Sequence, residues 1–184
     1  MCKSLPDFRF SLAAKSGWRL IKMENLWTRT VKRKYIDPIP LEDWIRDPSK
    51  TQKKVSVIWK ATLESFKVIE QGLAWKIGNG EKVKIGKDPW VGCNGNYALS
   101  PELIQHLEGK DIRFLSQVEK LGFSSIWGQA WKNGEELDLE QRWWNEWNGF
   151  TQELHRSNIR LSNRQDELLW AHAETGGICP KARV

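Results

Sequence analysis

The side chains in this sequence best placed to do chemistry are cations, and the chemistry open to them is neutralisation of phosphate. Arg29, Lys32, Arg33 and Lys34 fall within six positions. Lys76, Lys82, Lys84 and Lys87 follow inside GLAWKIGNGEKVKIGKDPW, residues 72–90. Ammonium and guanidinium groups bind phosphate by charge and carry no base information themselves, so a site built from them predicts salt-dependent, sequence-independent affinity.

Other chemistry finds less support. The carboxylates Glu135, Glu136, Asp138, Glu140, Asp166 and Glu167 are dense enough for acid–base work. Neighbouring acids on polar stretches, however, read as a solvated surface, and a two-metal centre needs acids converging from separate strands. The chain holds no GxxxxGK[ST] loop, GxSxG elbow or HExxH pair. His106, His155 and His172 do not stand at ligand spacing with Cys2, Cys93 or Cys179. The expectation is therefore no catalytic residue, no metal and no cofactor, that is, not an enzyme.

Composition bounds the partner. The chain of 184 residues carries a net charge of +6. Residues 1–90 hold 19 Lys+Arg against 10 Asp+Glu, a net +9, and residues 91–184 hold 10 against 13, a net −3. The basic half predicts an anionic partner, RNA or DNA ahead of a membrane surface, and with no apolar span in the sequence the expectation is no membrane. No apolar run approaches a membrane span and no signal peptide opens the chain, while three widely spaced cysteines form no disulfide framework. These features predict an intracellular location, nuclear or cytoplasmic. Twelve tryptophans predict core and interface anchors before base-stacking platforms.

The elements that must position the cations follow from periodicity. Phe8, Leu12, Lys15 and Trp18 predict an amphipathic helix over residues 7–23, interrupted by Gly17. A second helix over 25–35 is expected to bury Leu26, Trp27, Thr30 and Val31 and to turn Arg29, Lys32, Arg33 and Lys34 outward. Pro38, Pro40 and Pro48 predict an exposed loop over 36–53 held down by Trp44. Val55, Ile58, Trp59, Thr62, Leu63, Phe66 and Ile69 form the apolar stripe of a helix over 54–72, which Gly72 ends.

Next, Leu73, Trp75 and Ile77, a Gly-Asn-Gly at 78–80, and Val83 and Ile85 predict a basic β-hairpin ended by Asp88-Pro89-Trp90. Pro101 starts a short helix. Trp143, Trp147, Phe150 and Leu154 recur at helical spacing as a packing face, and Leu168 opens a short strand. The expected fold is α+β, mostly helical with a central basic β-hairpin and a poorly packed C-terminal segment. Its expected divisions are a basic helical region at 1–92, a connector at 93–118, a Trp-rich helical region at 119–156 and a final segment at 157–184.

Four stretches, AAKSGWRLIK (13–22), NLWTRTVKRKY (25–35), VIWKATLESFKVIEQGLAWKIGNGEKVKIGKDPW (57–90) and IRLSNRQDELLWAHAETGG (159–177), occur in an order that resembles plant LINE-type, non-LTR retrotransposon polyproteins. The resemblance is to the region after the reverse transcriptase and before the zinc-binding module, and it covers about residues 5–180. In that family the polymerase aspartates lie upstream and the zinc ligands downstream, so the resemblance implies a truncated, non-catalytic fragment in which residues 157–184 are the truncated start of a segment like the zinc-binding module. It also implies nearby RNA or DNA and an upstream polymerase domain as partner. The alternative is a structural or interaction module, or a transposon relic without independent activity.

Overall fold

The computed structural model describes residues 15–48, 56–120 and 131–170. The chain divides into two compact units, Met1–Gly72 and Leu73–Val184, so the break falls at Gly72 and not at residue 92. The class is α+β and mostly helical: six α-helices, three-residue and four-residue 3₁₀ turns, and two antiparallel strands among the described residues.

In the first unit, helix α1 runs through residues 15–22, α2 is Leu26–Tyr35, α3 is Leu41–Arg46 and α4 is Val57–Gly72. Gly17 does not interrupt α1. A Cβ there would lie 2.7 Å from Ile69 Cδ1 and 3.1 Å from Phe66 Cε2, so the glycine is the contact point at which α1 crosses α4. The expected start of this helix, residues 7–14, lies outside the described residues.

Trp59, Thr62, Phe66 and Ile69 form the buried stripe of α4, at steps of three and four. Thr62 can be buried because its hydroxyl donates to Ile58 O at 3.0 Å. Ile58, expected in that stripe, is instead exposed. Trp44 is buried as expected, but it sits on α3, a helix and not a loop. Pro40 stands at the α3 N-cap, and Glu42 and Asp43 in the first turn complement the helix dipole. Trp44 meets the edge of Phe66 at 4.9 Å and stacks on Trp59 at 5.6 Å, and Trp59 stacks on Tyr35 at 4.7 Å. Each such ring pair adds about 0.5–1.5 kcal/mol beyond area burial.

In the second unit, strand β1 is Leu73–Lys76 and β2 is Glu167–Trp170, paired antiparallel with Leu73 opposite Trp170 and Lys76 opposite Glu167. Here the expected hairpin is corrected. Residues 73–76 do not pair with 83–85. Trp75 instead pairs in parallel with Trp90, its amide donating to Pro89 O and its carbonyl accepting from Val91 N, both at 2.9 Å. The 83–85 segment pairs with 113–115: Lys84 bridges Phe114, Ile85 N donates to Arg113 O and Leu115 N donates to Val83 O.

Asp166 prevents the Gly-Asn-Gly from closing a tight reversal. Its buried carboxylate accepts from Gly78 N at 2.7 Å, Gly80 N at 3.0 Å and Lys82 N at 2.9 Å, and so holds the loop open around itself. Gly78 permits this, since a Cβ there would lie 2.3 Å from the Arg164 carbonyl oxygen.

The core of this unit gathers Trp90, Trp147, Phe150, Leu103, Leu107 and Leu115. Helix α5, Pro101–Gly109, is capped from a distance: the Ser100 amide and hydroxyl donate to the Glu146 carboxylate, the hydroxyl at 2.9 Å. Glu146 belongs to α6, Trp144–Arg156, which buries Trp147, Phe150 and Leu154 as the expected packing face. Residues 157–170 lay Ile159, Leu161 and Leu168 against the core. The remainder of the expected poorly packed segment, 171–184, lies outside the described residues, as do 121–130. Cys93 is buried and disulfide-bonded, where spacing alone predicts a reduced thiol. A disulfide needs only two sulfurs close in space, and sequence separation does not report that.

Candidate nucleic-acid interface

The expected cations fall four in each unit. Counted by unit, residues 1–72 hold 15 Lys+Arg against 8 Asp+Glu, a net +7, and residues 73–184 hold 14 against 15, a net −1. The basic character therefore belongs to the helical first unit. The segment once expected to be the basic hairpin sits in a unit that is close to neutral.

On α2 the local chemistry sets which face is turned out. Asn25 caps the helix by accepting from Thr28 N at 2.9 Å, and Thr28 Oγ1 reciprocates by accepting from Asn25 N at 2.8 Å. With its polar atoms satisfied in this way, Thr28 is fully buried. Placing Thr28 inward turns Leu26 and Trp27 outward, 82% and 45% exposed, and leaves Thr30 exposed as well. The expectation that these three face the core is thus corrected: the capping box satisfies the polar atoms of Thr28, and it is Thr28 that packs inward.

Helix α2 contains no carboxylate. Glu24, just before it, pairs with Arg29 at 3.6 Å and Lys32 at 3.2 Å. Lys34 Nζ lies 5.0 Å from the Tyr35 ring centroid. Arg33 is exposed. Three of the four cations stand in the last turn, where the helix dipole favours positive charge by about 0.3–1 kcal/mol each at low salt. Hydrogen bonding with Ser56, and then with Lys34, holds the Tyr35 phenol below its ordinary value.

In the second unit the cations are fixed by their backbone. Lys82 N is held by Asp166, and Lys84 N donates to the buried Asp88 carboxylate at 2.8 Å. With Val83 and Ile85 buried between them, Lys82 and Lys84 fall on the opposite face of an extended segment. Lys76 is exposed at the end of β1, opposite Glu167. Lys87 Nζ pairs with Glu108 Oε1 at 2.6 Å. Glu108 is held below its ordinary carboxyl value by that hydrogen bond first, with further contributions from Lys84 and Arg113. Sequence reasoning missed Arg113, since residues 109–118 carry no clear periodicity and its place beside Ile85 is set by long-range pairing.

Four of the six carboxylates considered for catalysis, Glu136, Asp138, Glu140 and Asp166, have structural partners. Asp138 pairs with Lys110 at 2.8 Å, Glu136 with Lys120 at 2.8 Å and Glu140 with Arg142 at 2.9 Å. Lys110 and Lys120 hold Asp138 and Glu136 below the ordinary carboxylate range. Asp166 serves the loop amides. Among the described residues no group of three or more His, Cys, Asp or Glu is placed to hold a metal ion, and no helix is long and apolar enough to cross a membrane. Compared with protein-family models, with curated proteins and with solved structures, the chain matches none.

Proposed function

We propose that this chain is a non-catalytic, nucleic-acid-associated fragment of the kind its sequence resembles, the region that follows the reverse transcriptase in LINE-type retrotransposon polyproteins. Phosphate contact is made chiefly by the first unit, through Arg29, Lys32, Arg33 and Lys34, with Lys76, Lys82, Lys84 and Lys87 as a secondary strip. The observation that carries this reading is the charge partition, +7 against −1, together with an α2 that has no carboxylate and exposes Arg29, Arg33 and Lys34, while the Lys32 side chain is 21% exposed. Each phosphate contacted on a single strand lowers the slope of log K against log salt by about 0.7.

Two charge-reversal variants test it side by side on single-stranded RNA. Arg33→Glu/Lys34→Glu is expected to weaken binding strongly and flatten the salt slope by about 1.4, the value for two lost contacts. Lys82→Glu/Lys84→Glu/Lys87→Glu is expected to have the smaller effect per charge. Unchanged affinity and slope in both would overturn the proposal.

A second reading is favoured by a separate observation. Val57 and Ile58, at the start of α4, are 87% and 78% exposed, more than an aliphatic pair in a finished surface requires. A structural or interaction module that docks on an upstream polymerase domain would cover them. In a relic without independent activity they would stay bare.

A further inference from the structure

Among the described residues two tryptophans stand out as exposed, Trp27 and Trp144. Trp144 is engaged: its indole N–H donates to Leu139 O at 3.0 Å, and its ring lies 2.9 Å from where a Cβ of Gly134 would be. Trp27 is different. Among the described residues no hydrogen bond, ring pair or cation engages its side chain, and it stands on the same helix as the cations. Trp27, Thr30 and Lys34 stand at i, i+3 and i+7, one row along α2, and Leu26, Thr30 and Arg33 form the adjacent row. The ring and the two cations are thus separated by ~10 Å along the helix axis.

We infer that Trp27 stacks on a nucleobase whose flanking phosphates Arg33 and Lys34 contact, so that the α2 face takes single-stranded nucleic acid in preference to duplex. The inference rests on the phosphate-binding reading of α2 given above. A flat π-face on the same helix as cations ~10 Å along its axis matches an unpaired base and the backbone that runs on from it, because every base offers a face for stacking whatever its identity. In a duplex those faces are already stacked on neighbouring pairs and only the phosphates remain within reach. Leu26 beside Trp27 adds apolar contact at the rim of the stacked base and excludes water from one side of it.

The test uses the full chain with a short single-stranded RNA and a duplex of the same length, across a salt series. Trp27→Ala is expected to weaken single-strand binding roughly tenfold to a hundredfold, with the salt slope unchanged and duplex binding unaffected. Trp27→Phe is expected to recover most of the loss. Trp27 is half exposed, so both variants should keep the fold, and circular dichroism verifies that they do. If Trp27→Ala binds the single strand like the unmodified chain while Arg33→Glu/Lys34→Glu weakens it, the stacking inference is overturned and the apolar end of α2 passes to a protein partner. Equal weakening of single strand and duplex by Trp27→Ala overturns it too. If the unmodified chain binds neither at low salt, the reading of α2 has failed, and the inference fails with it.

Discussion

Removing the Asp166 carboxylate should open the second unit at one identifiable place. In Asp166→Ala the amides of Gly78, Gly80 and Lys82 lose their acceptor together. The first two bonds lie in buried surroundings and the third is partly exposed, so water replaces the third more readily than the others. Hydrogen bonds to a charged acceptor contribute about 1.5–3 kcal/mol each, and an orphaned buried amide costs about 1–3 kcal/mol. Allowing water at Lys82 and some relaxation of the loop, the expected loss is about 3–5 kcal/mol, a large share of the stability of a domain of this size.

Asp166→Asn separates charge from shape. Its carbonyl oxygen can still accept from Gly78 and Gly80, which share Oδ1, but its NH₂ group would face the Lys82 amide, donor against donor. A loss of about 1–3 kcal/mol is expected. Because the chain has two units, a single denaturation midpoint would blend them, so the assay is amide hydrogen exchange followed by NMR. Exchange at 78, 80 and 82 should accelerate first, and β2 should follow. Stability within about 0.5 kcal/mol of the unmodified chain, the range of an ordinary surface change, would refute the reasoning.

Three further outcomes are expected. Gly78→Ala puts a methyl 2.3 Å from the Arg164 carbonyl oxygen and should cost at least about 2 kcal/mol, read as faster amide exchange across residues 73–82, whereas unchanged exchange there would show that the 164–165 backbone can retreat. Thr28→Val keeps the shape of the residue and the bond from Thr28 N to Asn25 Oδ1 but removes the hydroxyl that accepts from Asn25 N, so a loss of about 0.5–1.5 kcal/mol, seen as faster exchange at the Asn25 amide, is expected; unaltered exchange there would show that the reciprocal half of the cap carries no weight. Glu108 titrates below its ordinary 4.5 because Lys87 stabilises the carboxylate, so this small contribution to stability is present above that value and is lost as pH falls through the depressed one. Lys87→Ala should move the Glu108 carboxyl titration upward in carbon-detected NMR, and an unmoved titration would contradict the pairing.

Local pattern made the helices legible. The α4 stripe, the α5 start at Pro101 and the packing face of α6 are each set by residues three and four apart, which a sequence displays directly. What it hid was non-local. The true partner of 73–76 lies at 167–170, and the carboxylate that shapes the Gly-Asn-Gly loop lies 84 to 88 positions away from the amides it binds. A local hairpin was therefore the natural reading, and a wrong one.

The candidate site was legible in residue type but not in orientation. Arg29, Arg33 and Lys34 are exposed on α2 as periodicity suggests, but Lys32 is largely covered, the second-unit lysines stand on no hairpin, and Trp27, apolar and so expected inward, is exposed. The signal that could have turned it outward was Asn25 with Thr28 three positions on, a capping pair that satisfies Thr28 and lets it pack inward. The disulfide at Cys93 and the Glu146 cap on α5 had no local signature at all.

The most direct test of the central claim is the salt dependence of single-stranded RNA binding by the unmodified chain. If the four cations of α2 each neutralise one phosphate, log K should fall linearly with log salt at a slope of about −3, steeper if the second-unit strip takes part. A slope near zero, or no binding at low salt, would contradict the account.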